Sequence, residues 1–561
     1  MQILQKLLPS RTKRNPLLVQ TSNTSADAEK DLSPGLAAEK TSPLYWRIAV
    51  SMLAFGLVLR LARYLMDFPL WGDETMLAVN FLDRSYLQLA LPLDCLQISP
   101  ILFSWIELTS TKVLGFSALS LRLFPMLCGL ASLGLFWKLA CHFCRGAALP
   151  ISVAIFSVSY YLVRHSAEIK PYSSDLCAAL LLLFLAVKIE TTNRKAWWAA
   201  LILVTPCAVL LSYPIVFVAG AVSLFLLLTT TQRSNKAFWL PWVCFNIALV
   251  GTFLANYWLM AAAHYERTYT QGVGAMWVEG WPPITKPLEL LVWAARVHTG
   301  RMFSYPVGSK DGGSIVTFVL FAIGTWQLWR HHGKRRYLAL FCIPFLLGFV
   351  AAAMQRYPYG GSARTMLYVA PSICLLAGIG GGWLIDRIAN ASRQRRNFAI
   401  VMSLLIIAGG ANLARDLIRP YKTSEDARLD EFAQWFWIDY AQDCEIICAV
   451  TDTPRPADTF LQNSAAHDYL CWQRMYSARH RAGEKPNLAA VSESHPVRVV
   501  FYRVPQSDAA PPTADDALQS LPADIRESCE LREHTVFRVN PHADVVYSRE
   551  YVVFTFVPAG A

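Results

Sequence analysis

Three short clusters of ionisable residues stand beside long apolar runs, and each offers chemistry at a lipid–water boundary. Trp71, Gly72, Asp73 and Glu74 place two adjacent carboxylates just after such a run. A carboxylate there can take a proton from a hydroxyl or amine, or hold a metal ion. It can equally cap a helix expected over 75–87, with Glu74 favouring the first turn. His165, Glu168, Lys170, Tyr172 and Asp175 crowd the short link between two apolar runs. Ionisable groups held that near a bilayer are functional candidates, although Lys170 snorkelling and Tyr172 anchoring at the interface produce the same pattern. A third stretch, from Gln355 and Arg356 through Tyr357, Pro358, Tyr359, Gly360, Gly361 and Ser362 to Arg364, leads directly into another run. A planar guanidinium matches phosphate oxygens, so Arg364 suits a lipid phosphate, or else snorkels from a helix end. Arg60 and Arg122 sit just inside apolar runs and fit either a phosphate or a carboxylate partner.

The elements that must position these clusters are membrane helices. Of 561 residues 54% are hydrophobic and only 16% charged, which is too apolar for an ordinary soluble chain of this size. Eleven runs have a length suited to a hydrocarbon core of about 30 Å when flanking residues snorkel. They cover 44–65, 119–140, 147–163, 172–187, 197–211, 214–228, 238–260, 315–329, 338–354, 366–385 and 398–413. With the N-terminus inside, Arg145, then Lys188, Arg194 and Lys195, then Arg233 and Lys236, then Arg330, Lys334, Arg335 and Arg336, and finally Arg387, Arg393, Arg395 and Arg396 all fall in cytoplasmic loops. The net charge of +11 therefore reads as topology by the positive-inside rule, and no nucleic-acid partner is expected.

The apolar stretch 98–113 breaks this parity if it crosses, so it is expected to lie at, or dip from, the outer interface, with Glu107 among apolar neighbours. The loops 66–117, 164–171, 261–313 and 355–363 then face outward, as does everything after the last span. Residues 1–43 are expected to be a disordered cytoplasmic tail; Arg11, Lys13 and Arg14 are not followed promptly by an apolar core, so no cleavable signal peptide is expected. Residues 44–420 form the membrane domain, and 421–561 a soluble α/β or α+β module with a helix around 429–442 and strands near 444–450, 497–504 and 551–557. Cys444, Cys448, Cys471 and Cys529 would face an oxidising compartment, where one or two disulfides are expected without a readable pairing. Cys141 and Cys144 have a metal-like spacing but no second half, so zinc there is not expected.

The order of the clusters resembles the GT-C superfamily of integral-membrane glycosyltransferases, which includes protein O-mannosyltransferases, lipid A aminoarabinose transferases and family 39-like bacterial relatives. Four stretches within 44–413 carry the likeness: Leu70 to Glu74; Gln97, Ile98, Ser99, Pro100, Ile101, Leu102 and Phe103, running on to Trp105 and Glu107; Leu121 to Pro125; and Ser166 to Asp175. Arg364 resembles a late arginine of the family. The chain departs where Ile101 replaces the second proline of a "PPL" stretch, and where no His or Lys precedes Ser99, leaving Gln97 as the substitute. The resemblance implies a transferase that uses a polyprenyl-phosphate-linked sugar, with a lipid, glycan or protein acceptor, in the plasma (inner) membrane. It implies Asp73 as general base or acceptor-orienting carboxylate, Glu74 and Glu168 completing the catalytic set, and Lys170 and Arg364 at the donor phosphate. Gln97, Tyr172, Tyr359 and Arg122 would line the site. Some superfamily members use a divalent metal; no cofactor is read from this sequence. A transporter or lipid-linked-glycan flippase would also have many helices, but it would place ionisable groups near the midplane and show internal repeats. A scaffold displaying the C-terminal module would tolerate neutral replacements at Asp73 and Glu168.

Overall fold

In lipid every backbone polar group must bond within its own segment, so uninterrupted apolar runs become helices. A computed structural model describes residues 42–68, 70–78, 80–93, 97–192, 194–229, 236–258, 273–331, 333–420, 432, 436, 444–450, 491–503, 510–539 and 549–560. Six helices are long and apolar enough to cross a membrane: Pro43–Leu65, Ala118–Phe143, Tyr172–Thr192, Phe238–Asn256, Arg364–Asp386 and Ala391–Ile418. Shorter apolar helices cover Ala148–Val158, Lys195–Leu211, Ile215–Leu228, Ile315–Arg330 and Tyr337–Ala353. Every run read from the sequence thus carries a helix, and the chain is an integral membrane protein. The expected tail lies outside the described residues apart from its last two positions, and the helix around 429–442 apart from Phe432 and Phe436.

The run 147–163 is broken. Its first helix, Ala148–Val158, stops at Ser159, and a short helix, Tyr160–Arg164, follows. The Tyr160 amide leaves the helical ladder to bond the Pro306 carbonyl at 3.0 Å, which turns the chain towards its polar end. The stretch 98–113 forms the helix Ile101–Leu114, which opens after Pro100 and ends at Gly115, whose φ is +84°. At 1.5 Å per residue it reaches about 21 Å. Its Glu107 is fully buried, with neither oxygen bonded among the described residues, and burial pushes that carboxyl well above its ordinary range.

Small residues let the helices approach. A Cβ on Gly324 would meet the Leu376 carbonyl oxygen at 1.9 Å, and one on Gly380 would meet that of Leu320 at 2.0 Å. The Ile315–Arg330 and Ala370–Asp386 helices therefore pack backbone to backbone there, as small residues permit in membranes.

The C-terminal strands β1 (Glu445–Val450), β2 (Val497–Arg503), β3 (Cys529–Val539) and β4 (Arg549–Pro558) form one sheet in the order β1-β2-β4-β3, with β1 and β2 parallel and the other pairs antiparallel. Alternate residues Val497, Val499 and Phe501 of β2, and Val552, Phe554 and Phe556 of β4, share a buried face with Ala517 and Leu521, the period of two that strands impose. Three strands match the sequence expectation; β3 is additional. Cys529 is a free thiol, while Cys471 and the Cys448 side chain lie outside the described residues.

Candidate active site

The helix expected over 75–87 begins earlier, at Gly72, and runs as Gly72–Ala78 followed by Asn80–Asp83. Asp73 therefore lies inside its first turn and does not cap it. The Trp71 carbonyl accepts the amides of Glu74 and Thr75, at 2.8 and 3.2 Å. Glu74 returns a carboxylate oxygen to the Trp71 amide at 3.3 Å, one half of a capping box. This turn sends the two adjacent carboxylates to different surroundings.

Asp73 is held between two cations from distant parts of the chain. Lys170 Nζ donates to Oδ1 at 3.0 Å and Arg364 Nη1 to Oδ2 at 2.9 Å. Gln97 joins through its Oε1, which accepts from Lys170 Nζ at 2.5 Å. The Asp73 and Arg364 side chains are 25% and 24% exposed, whereas Lys170 is 8% exposed. The cluster is thus open to a ligand from one side. Trp277 completes it, its ring centre 5.1 Å from the Arg364 guanidinium carbon, within cation–π range.

Glu74 is buried. Arg122 grips it with both prongs, Nε to Oε1 at 2.9 Å and Nη2 to Oε2 at 2.7 Å, and the Ile169 amide adds a bond to Oε1 at 2.9 Å. With the Trp71 amide, four donors occupy its two oxygens, so Glu74 and Arg122 hold the site's frame and present nothing to a substrate. Glu168 is likewise buried, taking Arg164 Nε on Oε1 at 2.5 Å and His165 Nδ1 on Oε2 at 2.7 Å. Burial raises the Glu168 carboxyl, but Arg164 and His165 outweigh it and hold it well below the usual range. Burial also lowers His165 despite Glu168 beside it. The ring is therefore neutral at neutral pH, with Nδ1–H assigned as the donor from this bond.

Sequence reading and structure meet at Asp73, Lys170, Arg364 and Gln97, which converge. Tyr172 stands nearby, edge-on to His165 with centroids 4.9 Å apart. Tyr359 does not line the site: it is buried, and its hydroxyl bonds His298 Nε2 at 3.1 Å. Instead its loop is fastened in place. The Tyr359 amide bonds the Gly280 carbonyl at 3.0 Å, and a Cβ on Gly361 would meet the Gly280 amide nitrogen at 2.8 Å. Arg60 Nη1 donates to the Gly56 and Ser157 carbonyls, each at 3.0 Å, and the side chain has no carboxylate partner among the described residues. Sequence reasoning missed Trp277, Arg164 and His298. Only their aromatic or cationic character in polar loops hinted at them.

No group of three or more His, Cys, Asp or Glu side chains suited to a metal ion occurs among the described residues. Both Asp73 oxygens already receive cationic donors, so this donor set does not fit a resident divalent ion.

Residues 98–287 match the family model described as dolichyl-phosphate-mannose-protein mannosyltransferase. The GT-C resemblance holds. The matched segment contains Arg122, Glu168, Lys170 and Trp277 and stops short of Arg364. Among solved structures, the GT-C-like chain is similar to ArnT from Cupriavidus metallidurans in the apo state, at 12% identity over 90% of this chain and 98% of that one, with a TM-score of 0.47. The same protein bound to undecaprenyl phosphate gives 13%, 91%, 97% and 0.46. AglB, the archaeal oligosaccharyltransferase of Archaeoglobus fulgidus in complex with an inhibitory peptide and a dolichol-phosphate, gives 12%, 76%, 64% and 0.43. At such scores these likenesses carry no further weight. No curated protein matches the sequence.

Proposed function

We propose that this protein is a glycosyltransferase that moves one sugar from a polyprenyl-phosphate carrier to an acceptor hydroxyl or amine at the outer face of the plasma (inner) membrane. The observation that carries the reading is the one carboxylate, Asp73, held open between Lys170 and Arg364. Residues 44–420 are the catalytic membrane domain, and 421–561 an extracytoplasmic module. The basic loops support an N-terminus inside and the Asp73 cluster outside.

A phosphate is already a good leaving group at the sugar C1, so the protein has two tasks, to deprotonate the acceptor and to neutralise the departing charge. The donor phosphate draws Lys170 and Arg364 onto its own oxygens. That exchange frees both Asp73 oxygens to face the acceptor. The acceptor oxygen or nitrogen then bonds C1 while the C1–O bond to phosphate breaks. Its proton passes to Asp73, and the bonding electron pair leaves with polyprenyl phosphate. Direct displacement inverts the anomeric centre. Trp277 holds the Arg364 guanidinium in plane, and Glu74 and Glu168 act as positioning residues.

The test is transfer of radiolabelled sugar from polyprenyl-phosphate donors in membranes containing the native protein or the Asp73→Asn variant. Transfer by the native protein alone is the expected result. Equal transfer by both would remove Asp73 from the chemistry, and donor movement across the membrane without transfer would favour a flippase.

A further inference from the structure

The last turn of the Ala391–Ile418 helix reaches the Asp73 region through a chain of contacts. Asp416 Oδ2 accepts a bond from Arg63 Nη1, and the two side chains are 10% and 6% exposed. The pair ties this helix to the last turn of the Pro43–Leu65 helix. Close packing holds the Asp416 end in place. Two turns earlier, a Cβ on Gly409 would meet Val158 Cβ at 3.0 Å and the Phe55 ring at 3.1 Å. Beside Asp416, the Arg415 guanidinium lies over the Tyr160 ring, 5.6 Å from its centre.

Arg63 has a second contact. Its guanidinium carbon stands 4.9 Å from the centre of the Phe68 ring, within cation–π range. Phe68 follows Asp67, whose φ of +44° is a left-handed turn that a residue with a side chain adopts where its surroundings hold it. The Phe68 carbonyl accepts a bond from Arg122 Nη1. The same guanidinium grips Glu74 with its other two nitrogens, at 2.9 and 2.7 Å, and Glu74 shares its helical turn with Asp73. Every link from Asp416 to that turn is therefore a direct contact or a covalent bond.

We propose that Asp416 and Arg63 are positioning residues that brace the turn carrying Asp73. Both side chains are buried, and they act on Asp73 through Phe68, Arg122 and Glu74. The Asp416 charge fixes the Arg63 fork, the fork fixes the entry loop at Phe68, and that loop shares Arg122 with Glu74. The consequence for catalysis rests on the transferase reading, whereas the bracing itself does not.

The test compares the full-length native protein with Asp416→Asn and with the paired variant Arg63→Met/Asp416→Leu. Removing one charge leaves Arg63 buried without this carboxylate, whereas replacing both with apolar groups is commonly tolerated by a fold, so the paired variant separates bracing from stability. Asp416→Asn should lower kcat for sugar transfer by about 10- to 100-fold, the scale of a misplaced reacting group, with the donor KM near native because Lys170 and Arg364 stay in place. The paired variant should regain the native melting temperature and keep the low kcat. Hydrogen exchange gives a readout apart from transfer: amides in Gly72–Ala78 should exchange faster in both variants, with the spanning helices as protected as in the native protein. A kcat that recovers together with the melting temperature would overturn the proposal and leave the pair a structural tie. Native exchange over Gly72–Ala78 in the paired variant, or faster exchange spread through the spanning helices, would overturn it too. If the native protein transfers no sugar from any polyprenyl-phosphate donor, the transferase reading fails alone and the exchange result decides the bracing.

Discussion

Asp73 and Glu74 leave one helical turn for two regions that differ in access more than in chemistry. Each carboxylate meets an arginine from a distant helix and a group from the 168–170 stretch: Asp73 takes Arg364 and Lys170, while Glu74 takes Arg122 and the Ile169 amide. The Asp73 region is a quarter open and its cations can be drawn off by a phosphate. The Glu74 region is closed, at 1% exposure for the carboxylate and 4% for its arginine, and removing either partner strands a buried charge. The contrast separates a group that can react from one that cannot, though the sequence sets them side by side.

The comparison is broken most sharply at Asp73 itself. Asp73→Asn should lower transfer by about 10²- to 10⁴-fold, the usual worth of a positioned acid or base, with the melting temperature in detergent held near native. A large loss of stability would place Asp73 with Glu74 as a framework residue. Glu74→Ala should do the reverse and cost about 3–5 kcal/mol of unfolding free energy by taking the carboxylate away from a buried Arg122, as read by denaturant titration. Native-like stability would show that water reaches Arg122.

Titration should report the buried Glu168. Its folded-state pKa lies below the ordinary 4.5, so the stability it adds is full above that value and is lost as pH falls through the folded value. His165, depressed from 6.5, costs stability in the same sense from that pH downward. Melting temperature should therefore drop on acidification, and Glu168→Gln should flatten the part below 4.5. An unaltered acid limb in that variant would contradict the assignment. The smallest effect is expected at Trp277→Ala. Loss of one exposed cation–π contact is worth about 0.5–1 kcal/mol, which should raise the donor KM a few-fold without changing kcat, and a collapse of kcat instead would give the ring a role in the reacting geometry.

Apolar runs were legible because lipid forces them into helices, and the structure moves most of their ends by only a few residues. The broken run at Ser159 was not legible, since its cause is a carbonyl at Pro306, far along the chain. β3 was passed over because its residues include Glu530, Arg532, Glu533 and Arg538 and most of them are exposed. A charged edge strand protects the sheet without an apolar signature. At the site, residue types were readable but partners were not. The Glu74–Arg122 pair spans 48 positions and the Asp73–Arg364 pair 291, and nothing local distinguishes either from a snorkelling arginine. Tyr359 was misplaced for the same reason: its motif sits beside Arg364, but its hydroxyl faces His298.

The stretch Glu168, Ile169, Lys170 sets the length of this machine. Its three consecutive residues reach in three directions, to Arg164 and His165, to Glu74, and to Asp73. Replacing one residue there removes one contact. Adding or deleting one shifts every contact beyond it out of register, because neither Glu74 nor Asp73 can follow on its short helix. The stretch behaves as a gauge block between two helices: its composition has some tolerance, and its residue count has none.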